Sequence, residues 1–214
     1  MKIVKASLGY KKEALKGAFG FKGSALTCLW QVAVRLETAR NVGVGLGVQS
    51  ALWSDAAVFS QYGEEKSNEM MFALTEYAVN QLSGVEFETP FGLFDMLYPK
   101  VYQYAKKITG KETVRKTFAL NALVAVDFAA WQLWFKENGK KDFDEISSFD
   151  GERQSMLANI PLITYSMQTE EVRQLALEGT PLFKIKIGLD PEKDGSISKM
   201  LSWDKARLEE IHQA

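Results

Sequence analysis

Two lysines spaced two residues apart, Lys184 and Lys186, are the residues of this sequence whose type and spacing could do chemistry. They lie in the segment Pro-Leu-Phe-Lys-Ile-Lys-Ile at 181–187, which Gly179 and Gly188 bound as a predicted short strand. Side chains alternate across a strand, so both lysines share one face and the opposite face is apolar. An enclosed lysine face could act on a ligand, whereas a lysine face open to water is common on strands. The segment alone leaves both readings open.

A glycine-rich segment at 11–23 is the second candidate for a functional element. It contains two closely spaced aromatic residues, Phe19 and Phe21. Long loops are often functional, so this segment could be a lid over a ligand. It could equally be a loose hairpin connection whose aromatic side chains pack into a core. A second glycine-rich stretch, 41–47, lacks the spacing of a nucleotide-binding loop and instead predicts a strand with close backbone approach.

The composition excludes several function classes. The chain has 214 residues, which is enough for one large domain or two small ones, and 46% of them are hydrophobic. The 26 basic and 27 acidic residues nearly cancel, which argues against nucleic acid or a membrane surface bound through bulk charge. The N-terminal residues lack the apolar stretch of a signal peptide. A single cysteine, Cys28, excludes an internal disulfide and is expected as a buried thiol in a cytoplasmic protein.

The periodicity of apolar residues predicts the elements that position these candidates. Strands at 2–10, 25–38 and 41–47 suggest an antiparallel meander, and one face of the second strand is apolar. Three helices follow, at 64–82, 91–109 and 116–137. Pro99 should kink or restart the second of these helices, and Gly110 should end it.

The third helix is apolar nearly all round and should be the centre of a bundle. Asp127 within it would be costly as an unpaired charge at the centre of a membrane, so we expect a buried helix of a soluble protein. Because buried carboxylates need partners, we expect Asp127 to be a hydrogen-bonded structural residue.

A polar stretch at 140–159 is the expected domain boundary, and a different pattern follows it. A short strand at 160–167 precedes a helix with Thr169 as its expected N-cap. The strand containing the two lysines comes next, and a last helix begins near Trp203. Strand, helix, strand and helix in this order are typical of a parallel α/β structure.

This order of elements resembles the N-terminal half of enolase-superfamily enzymes of the mandelate racemase and muconate lactonizing type. Four segments carry the resemblance, namely Glu37-Thr38 leading into Gly43-Val-Gly45, the helix segment from Asn121 to Trp131, Ile160-Pro-Leu-Ile-Thr-Tyr, and Lys184-Ile-Lys186. The resemblance implies an α+β capping domain at 1–150, made of a three-stranded antiparallel meander and a helical bundle. The first two β/α units of a TIM-type β/α barrel would follow at 151–214.

The barrel implies an enclosed position for the lysines. Barrel strands point alternate residues inward and toward the outer helices, and active sites lie at the C-terminal strand ends. Phe183, Ile185 and Ile187 would then pack under helices, leaving both lysines inside. By resemblance, Lys186 is the general acid/base that removes the proton next to a substrate carboxylate. Lys184 would lower the pKa of Lys186 and contact that carboxylate.

The resemblance also implies the remaining parts of the site. Phe19 and Phe21 on a lid at 17–23, helped by the region 51–62, would contact the substrate, as would Ser166 at the end of the first barrel strand. The enzymes use Mg²⁺ to stabilise an enediolate, with carboxylate ligands on the third to fifth barrel strands. Those strands would follow Ala214, so we expect no metal ligands in this chain. His212 is expected on the surface.

We therefore expect the N-terminal portion of a racemase, epimerase, cycloisomerase or related lyase that is inactive without the remainder of the barrel. Its expected partners are a small carboxylate substrate and that remainder, and homo-oligomers are ordinary for the family. Nucleic acid and membrane are not expected partners. Two alternatives stay open: a non-catalytic α+β module that binds small molecules or anions, and an enzyme in which Lys186 attacks a carbonyl to form a Schiff base.

Overall fold

A computed structural model describes residues 1–21, 24–146, 155–192 and 194–213. The chain divides into two compact units, Met1–Ser148 and Phe149–Ala214. The predicted domain boundary at residue 150 lies outside the described residues and stays a prediction.

The first unit begins with a three-stranded antiparallel sheet in the order β1-β2-β3. The strands are β1 (Lys5–Phe21), β2 (Ser24–Glu37) and β3 (Val42–Gln49). The meander predicted from the sequence is confirmed. Its apolar face is buried through Leu26, Trp30, Val32, Val34 and Leu36. The prediction of a buried thiol is wrong, because Cys28 on the same strand is only half-buried.

The predicted loop at 11–23 is mostly strand. Lys11 to Ala14 pair with Cys28 to Gln31, and Phe19 to Phe21 pair with Ser24 to Leu26. β2 supplies a hydrogen-bonding partner along this stretch, and backbone pairing overrides the low strand preference of the glycines. The first strand is therefore much longer than predicted. Lys22 and Gly23, at the end of the predicted lid, lie outside the described residues.

Four α-helices follow the sheet in the described part of the first unit. They are α1 (Ala51–Ser54), α2 (Ala56–Val79), α3 (Pro90–Thr109) and α4 (Lys116–Glu137). The first, second and fourth pack against the sheet, and the third packs against the second and fourth. Gly63 in α2 has a φ of 77°, so the helix predicted from residue 64 is the part of α2 beyond this break. α3 continues through Pro99 and ends at Gly110, whose left-handed backbone, with a φ of 62°, suits glycine.

α4 spans 116–137, as predicted, and lies at the centre of the unit. Its buried residues include Phe118, Leu123, Val126 and Leu133. It is the single helix in the described part of the chain with the length and hydropathy of a membrane span. Half of that apolar stretch is buried within the protein, as in the core helix of a globular domain.

The glycines of β3 allow the strand and α4 to touch backbone to backbone. A Cβ placed on Gly45 would lie 2.0 Å from the carbonyl oxygen of Ala125 and 2.4 Å from the amide nitrogen of Ala129. A Cβ on Gly43 would lie 2.2 Å from the carbonyl oxygen of Ala129. No side chain fits at either position, and the predicted close backbone approach is confirmed.

Polar side chains of α4 pair with the open edge of β3. Gln132 accepts the backbone N–H of Val44 at 3.2 Å, and Asn121 donates to the carbonyl oxygen of Val48 at 2.9 Å. Lys136 donates to the carbonyl oxygen of Val42 at 2.6 Å. These bonds satisfy backbone groups that an edge strand otherwise leaves open to another chain.

The last residue of α4, Glu137, binds the turn between β2 and β3. Its carboxylate accepts bonds from the hydroxyl of Thr38, from the side-chain amide of Asn41 at 2.9 Å and from Arg40 at 2.7 Å. The Thr38 and Asn41 bonds, with the Arg40 charge, lower the pKa of Glu137 to about 2.

Over residues 155–192 and 194–213, the second unit contains two short parallel strands and two helices. The elements are β4 (Leu162–Ile163), α5 (Thr169–Leu177), β5 (Lys184–Ile185) and α6 (Ile197–Gln213). The strands are shorter than predicted, and α6 begins six residues before Trp203. The N-cap of α5 is Gln168, whose N–H donates to Glu171 at 2.7 Å, so the prediction of Thr169 as N-cap is wrong.

Replacement of Gly45 by alanine should destabilise the first unit strongly, because the new methyl group would overlap the backbone of α4. We expect the free energy of unfolding to fall by about 3 kcal/mol or more, measured by urea denaturation. Gly9→Ala is the control, since a Cβ there meets nothing within 4 Å. Equal effects of the two substitutions would contradict this account of the contact.

Acid should weaken the attachment of α4 to the β2–β3 turn. The pKa of Glu137 in the folded chain is about 2, below its ordinary value of 4.5, so its contribution is full above 4.5 and is lost as pH falls from 4.5 toward 2. We expect Glu137→Gln to lose about 2 kcal/mol of stability at neutral pH. The variant should also show a smaller drop in stability across that window in urea titrations at several pH values. Parallel curves for the two proteins would contradict the assignment.

Candidate functional site

Lys186 lies at the C-terminal end of β5, beside the end of the parallel strand β4. The backbone N–H of Lys184 donates to the carbonyl oxygen of Pro161, and that of Lys186 to the carbonyl oxygen of Ile163, each at 3.0 Å. Because the strands are parallel, their C-terminal ends meet at one edge of the pair. Residues that follow β4 and β5 therefore lie near each other.

The face of β5 opposite the lysines lies under the two helices of its unit. Phe183 and Ile185 line a cavity of about 450 Å³ together with residues of α5 and α6, including Val172 and Leu208. This matches the predicted alternation. Ile187 departs from it, because it is 61% exposed and does not pack under a helix. The regular strand ends at Ile185, so the alternation no longer applies at Ile187.

The Tyr165 ring lies beside the Lys186 amine. The Nζ atom lies 4.8 Å from the centre of the Tyr165 ring. The Tyr165 hydroxyl donates to the carbonyl oxygen of Ile187 at 2.7 Å, and the Trp203 ring packs edge-on at 5.9 Å. These contacts hold the ring beside the amine. Burial lowers the pKa of Lys186 below its ordinary value of 10.5.

Asp204 of α6 shapes the chain just after Lys186. Both of its carboxylate oxygens accept the backbone N–H of Gly188, at 3.0 and 2.9 Å. Gly188 has a φ of 88°, a conformation that favours glycine, so the chain turns directly after the strand. Burial first, and the Asp204 charge second, raise the pKa of Tyr165 above 10.0.

Sequence reasoning missed both Tyr165 and Asp204. Tyr165 could have been found, because it lies two residues after β4 and so falls at the edge where active-site residues are expected. Asp204 carried no signal, since an acidic residue in an amphipathic helix is ordinarily a surface residue.

Ser166 and Lys184 are more exposed than Lys186. The Ser166 hydroxyl lies 3.3 Å from that of Thr164, and the Ser166 carbonyl accepts a bond from the side chain of Gln168 at 3.1 Å. Lys184 is exposed at the start of β5. Burial lowers the pKa of Lys186, and the expected influence of Lys184 on that pKa stays a prediction.

The predicted substrate-contacting aromatics lie in the first unit. Phe19 and Phe21 stand on β1 and pack, partly buried, against the core. The Phe19 ring meets the ring of Trp53 edge-on at 6.0 Å, and Trp53 is 46% exposed. The structure therefore brings Phe19 together with Trp53 of the region 51–62, and the role of this region in a substrate lid stays a prediction.

Asp127 does not have the predicted hydrogen-bonded role. It is half-buried beside apolar residues of α3, including Leu93 and Leu97, and burial raises its pKa. Across the described ranges no side chain or backbone group donates a hydrogen bond to it.

Within residues 1–21, 24–146, 155–192 and 194–213, no group of three or more His, Cys, Asp or Glu side chains could hold a metal ion. The resemblance implies Mg²⁺ ligands on later barrel strands, and that placement stays a prediction. His212 is exposed on α6 and borders the cavity under the helices.

Solved structures similar to this chain come from several bacterial enzymes. A dipeptide epimerase from Enterococcus faecalis, solved with Mg and the dipeptide L-Leu-L-Tyr, superposes with a TM-score of 0.61 at 19% identity over 100% of this chain. The L-Ala-D/L-Glu epimerase from Bacillus subtilis superposes with a TM-score of 0.61 at 16% identity over 100% of this chain. A mandelate racemase/muconate lactonizing protein from Herpetosiphon aurantiacus superposes with a TM-score of 0.62 at 18% identity over 99% of this chain.

In each case the chain covers 50% of the solved protein. No protein-family model and no curated protein matches the sequence. At these identities the similarity establishes the fold, and it confirms the predicted capping domain followed by the start of a barrel. The chain has the fold of the N-terminal half of the mandelate racemase and muconate lactonizing enzymes of the enolase superfamily.

Proposed function

We propose that this chain is the N-terminal half of a racemase or epimerase that removes the proton next to a carboxylate, with Lys186 as the acid/base. The observation that carries the proposal is the half-buried Lys186 amine, with its lowered pKa, at the C-terminal end of a parallel strand pair. Enzymes built on β/α barrels place their reacting groups at this end of the strands.

The surroundings of Lys186 suit both the neutral amine and the ammonium form of its side chain. Burial raises the fraction of neutral amine at a given pH, and the neutral amine is the form that accepts a proton. The proton moves from the substrate carbon to Nζ, and the electron pair of the C–H bond stays on the substrate. The ammonium group that forms then faces the Tyr165 ring, which stabilises a cation.

Other residues would bind the substrate. Lys184, exposed at the same strand, is available to pair with the substrate carboxylate. Phe19 and Phe21 would contact its apolar part, and Ser166 would contact a polar group. The dipeptide in the Enterococcus faecalis structure makes a dipeptide or another N-substituted amino acid the first substrate class to test.

The proposed enzyme needs more protein than this chain contains. The chain covers half of the solved structures it matches, and two strands cannot close a barrel. We propose that further barrel strands supply the ligands for Mg²⁺ and the second acid/base, and that the chain alone is inactive. The assembled enzyme would be cytoplasmic.

A Schiff-base enzyme is a second candidate, because a lowered lysine pKa also favours attack of the amine on a carbonyl. Borohydride treatment with a carbonyl substrate would trap the adduct on Lys186. Absence of a mass increase on the peptide that contains Lys186 would reject this candidate.

The Lys186 amine should titrate below the ordinary lysine value of 10.5, because burial disfavours its charged form. Reductive ¹³C-methylation followed by NMR over a pH series would measure the midpoint directly. Lys186→Arg identifies the resonance by its loss. A midpoint at or above 10.5 would contradict the proposed basis for its acid/base role.

Lys186→Ala should abolish exchange of the substrate's α-proton with solvent. The assay uses this chain joined to the sequence that follows residue 214 in its gene, with a dipeptide and Mg²⁺ in D₂O. We expect a loss of at least about 100-fold, since that is the usual contribution of a positioned acid/base. Lys205→Ala, an exposed lysine on α6, is the matched control. If Lys186→Ala exchanged the α-proton as fast as the control Lys205→Ala, the role of Lys186 would be refuted.

A further inference from the structure

The hairpin of β1 and β2 is interrupted at Thr27. Ala14 pairs with Cys28, and the next pair joins Phe19 to Leu26. Four residues of β1, 15–18, therefore lie opposite the single residue Thr27. The outer hairpin, defined here as residues 19–21 and 24–26, is joined to the sheet through this irregular position.

Among the described residues, no strand pairs with the outer part of β2 on its other side. β3 ends at Gln49, which pairs with Trp30, so nothing in the sheet continues along β2 from Leu29 toward Ser24. Open strand edges of this kind need other partners for their backbone groups. The irregular position, Thr27, lies three residues from Trp30, where the pairing of β2 with β3 ends.

A carboxylate from α2 occupies this position. Glu64 Oε1 accepts the backbone N–H of Thr27 at 2.8 Å and that of Cys28 at 3.0 Å. Glu64 Oε2 accepts the Thr27 hydroxyl at 2.5 Å. Successive N–H groups of a regular strand point to opposite sides, so their convergence on one oxygen marks a backbone concavity that suits an anion.

The sequence of α2 places Glu64 for this contact. The helix breaks at Gly63, whose φ of 77° favours glycine, and Glu64 is the next residue. The Ser67 hydroxyl donates to the carbonyl oxygen of Gly63 at 2.6 Å, which stabilises the break. Glu65 beside it pairs with Lys12 on the inner side of the interruption. Adjacent acidic residues thus bind the hairpin at its irregular position and on the inner side of that position.

The outer hairpin is the part that carries Phe19 and Phe21. Both pair with β2 beyond Thr27, and Phe19 contacts Trp53. The position of these two side chains therefore depends on the backbone at Thr27 and Cys28, which Glu64 holds.

We propose that Glu64 is a positioning residue that holds the outer hairpin and thereby sets how tightly the enzyme selects the apolar part of its substrate. The inference rests on the proposed function in one respect, namely that Phe19 and Phe21 contact substrate. Glu64 itself touches no reacting atom in this scheme, so its loss should affect substrate binding more than the chemical step.

The first test is amide hydrogen exchange, measured by NMR on the 214-residue chain. In Glu64→Ala the amides of Thr27 and Cys28 should exchange at least about tenfold faster, because they lose a charged acceptor. The amide of Val34, in the middle of the sheet, should not change. Glu76→Ala, an exposed glutamate on the same helix, is the control and should match the wild type. Unchanged exchange at Thr27 and Cys28 in Glu64→Ala would overturn the proposal, whatever the activity.

The second test uses the assembled enzyme and compares dipeptides with large and small apolar side chains. Glu64→Ala should raise KM for the large substrate by about tenfold and leave kcat within about twofold. Glu64→Gln, which keeps an oxygen acceptor, should restore part of the difference. Faster amide exchange with KM values equal to those of Glu76→Ala would overturn the positioning role. A wild-type enzyme without exchange activity would instead overturn the proposed function and leave the hydrogen-exchange result to decide whether Glu64 holds the hairpin.

Discussion

The direct backbone contact between β3 and α4 is the constraint on which the first unit depends. Gly43 and Gly45 leave no room for a side chain between the strand and the alanines of the helix. This closeness brings the polar residues of α4 within reach of the strand edge, so Gln132 and Asn121 can bond to its backbone. At the end of the helix the same closeness lets Glu137 bind the β2–β3 turn. The close contact at Gly43 and Gly45 thus allows α4 to bind the sheet, the open edge of β3 and the β2–β3 turn.

The sheet in turn determines where the hairpin can project. β2 is longer than β3, so its outer part extends past the strand that supports it. That extension is where the ladder with β1 becomes irregular and where Glu64 replaces a strand as the hydrogen-bonding partner. A regular sheet holds the base of the hairpin, and side-chain contacts hold its end. The end is therefore the part whose position single side chains can change.

In the second unit, burial and the Tyr165 ring both influence the charge of the Lys186 amine. Burial disfavours the charged amine, while the Tyr165 ring stabilises it, so the two effects oppose each other. Asp204 holds Gly188 and fixes the turn after the strand, which keeps the amine at the strand end. Lys184 stays exposed, and an exposed charge in water has little influence on the pKa of its neighbour.

The sequence by itself determined the elements whose signal is local. Apolar periodicity located the meander and α4, the glycines of β3 predicted close backbone approach, and alternation along 181–187 placed Phe183 and Ile185 under helices. Only the tertiary structure decided the partners of polar groups, which the local pattern does not encode. It paired Glu64 with β2, left Asp127 without a donor among the described residues and turned the predicted loop at 11–23 into strand. The physical reason is the same in each case, because hydrogen bonds and burial depend on residues distant in the chain, whereas periodicity depends on neighbours.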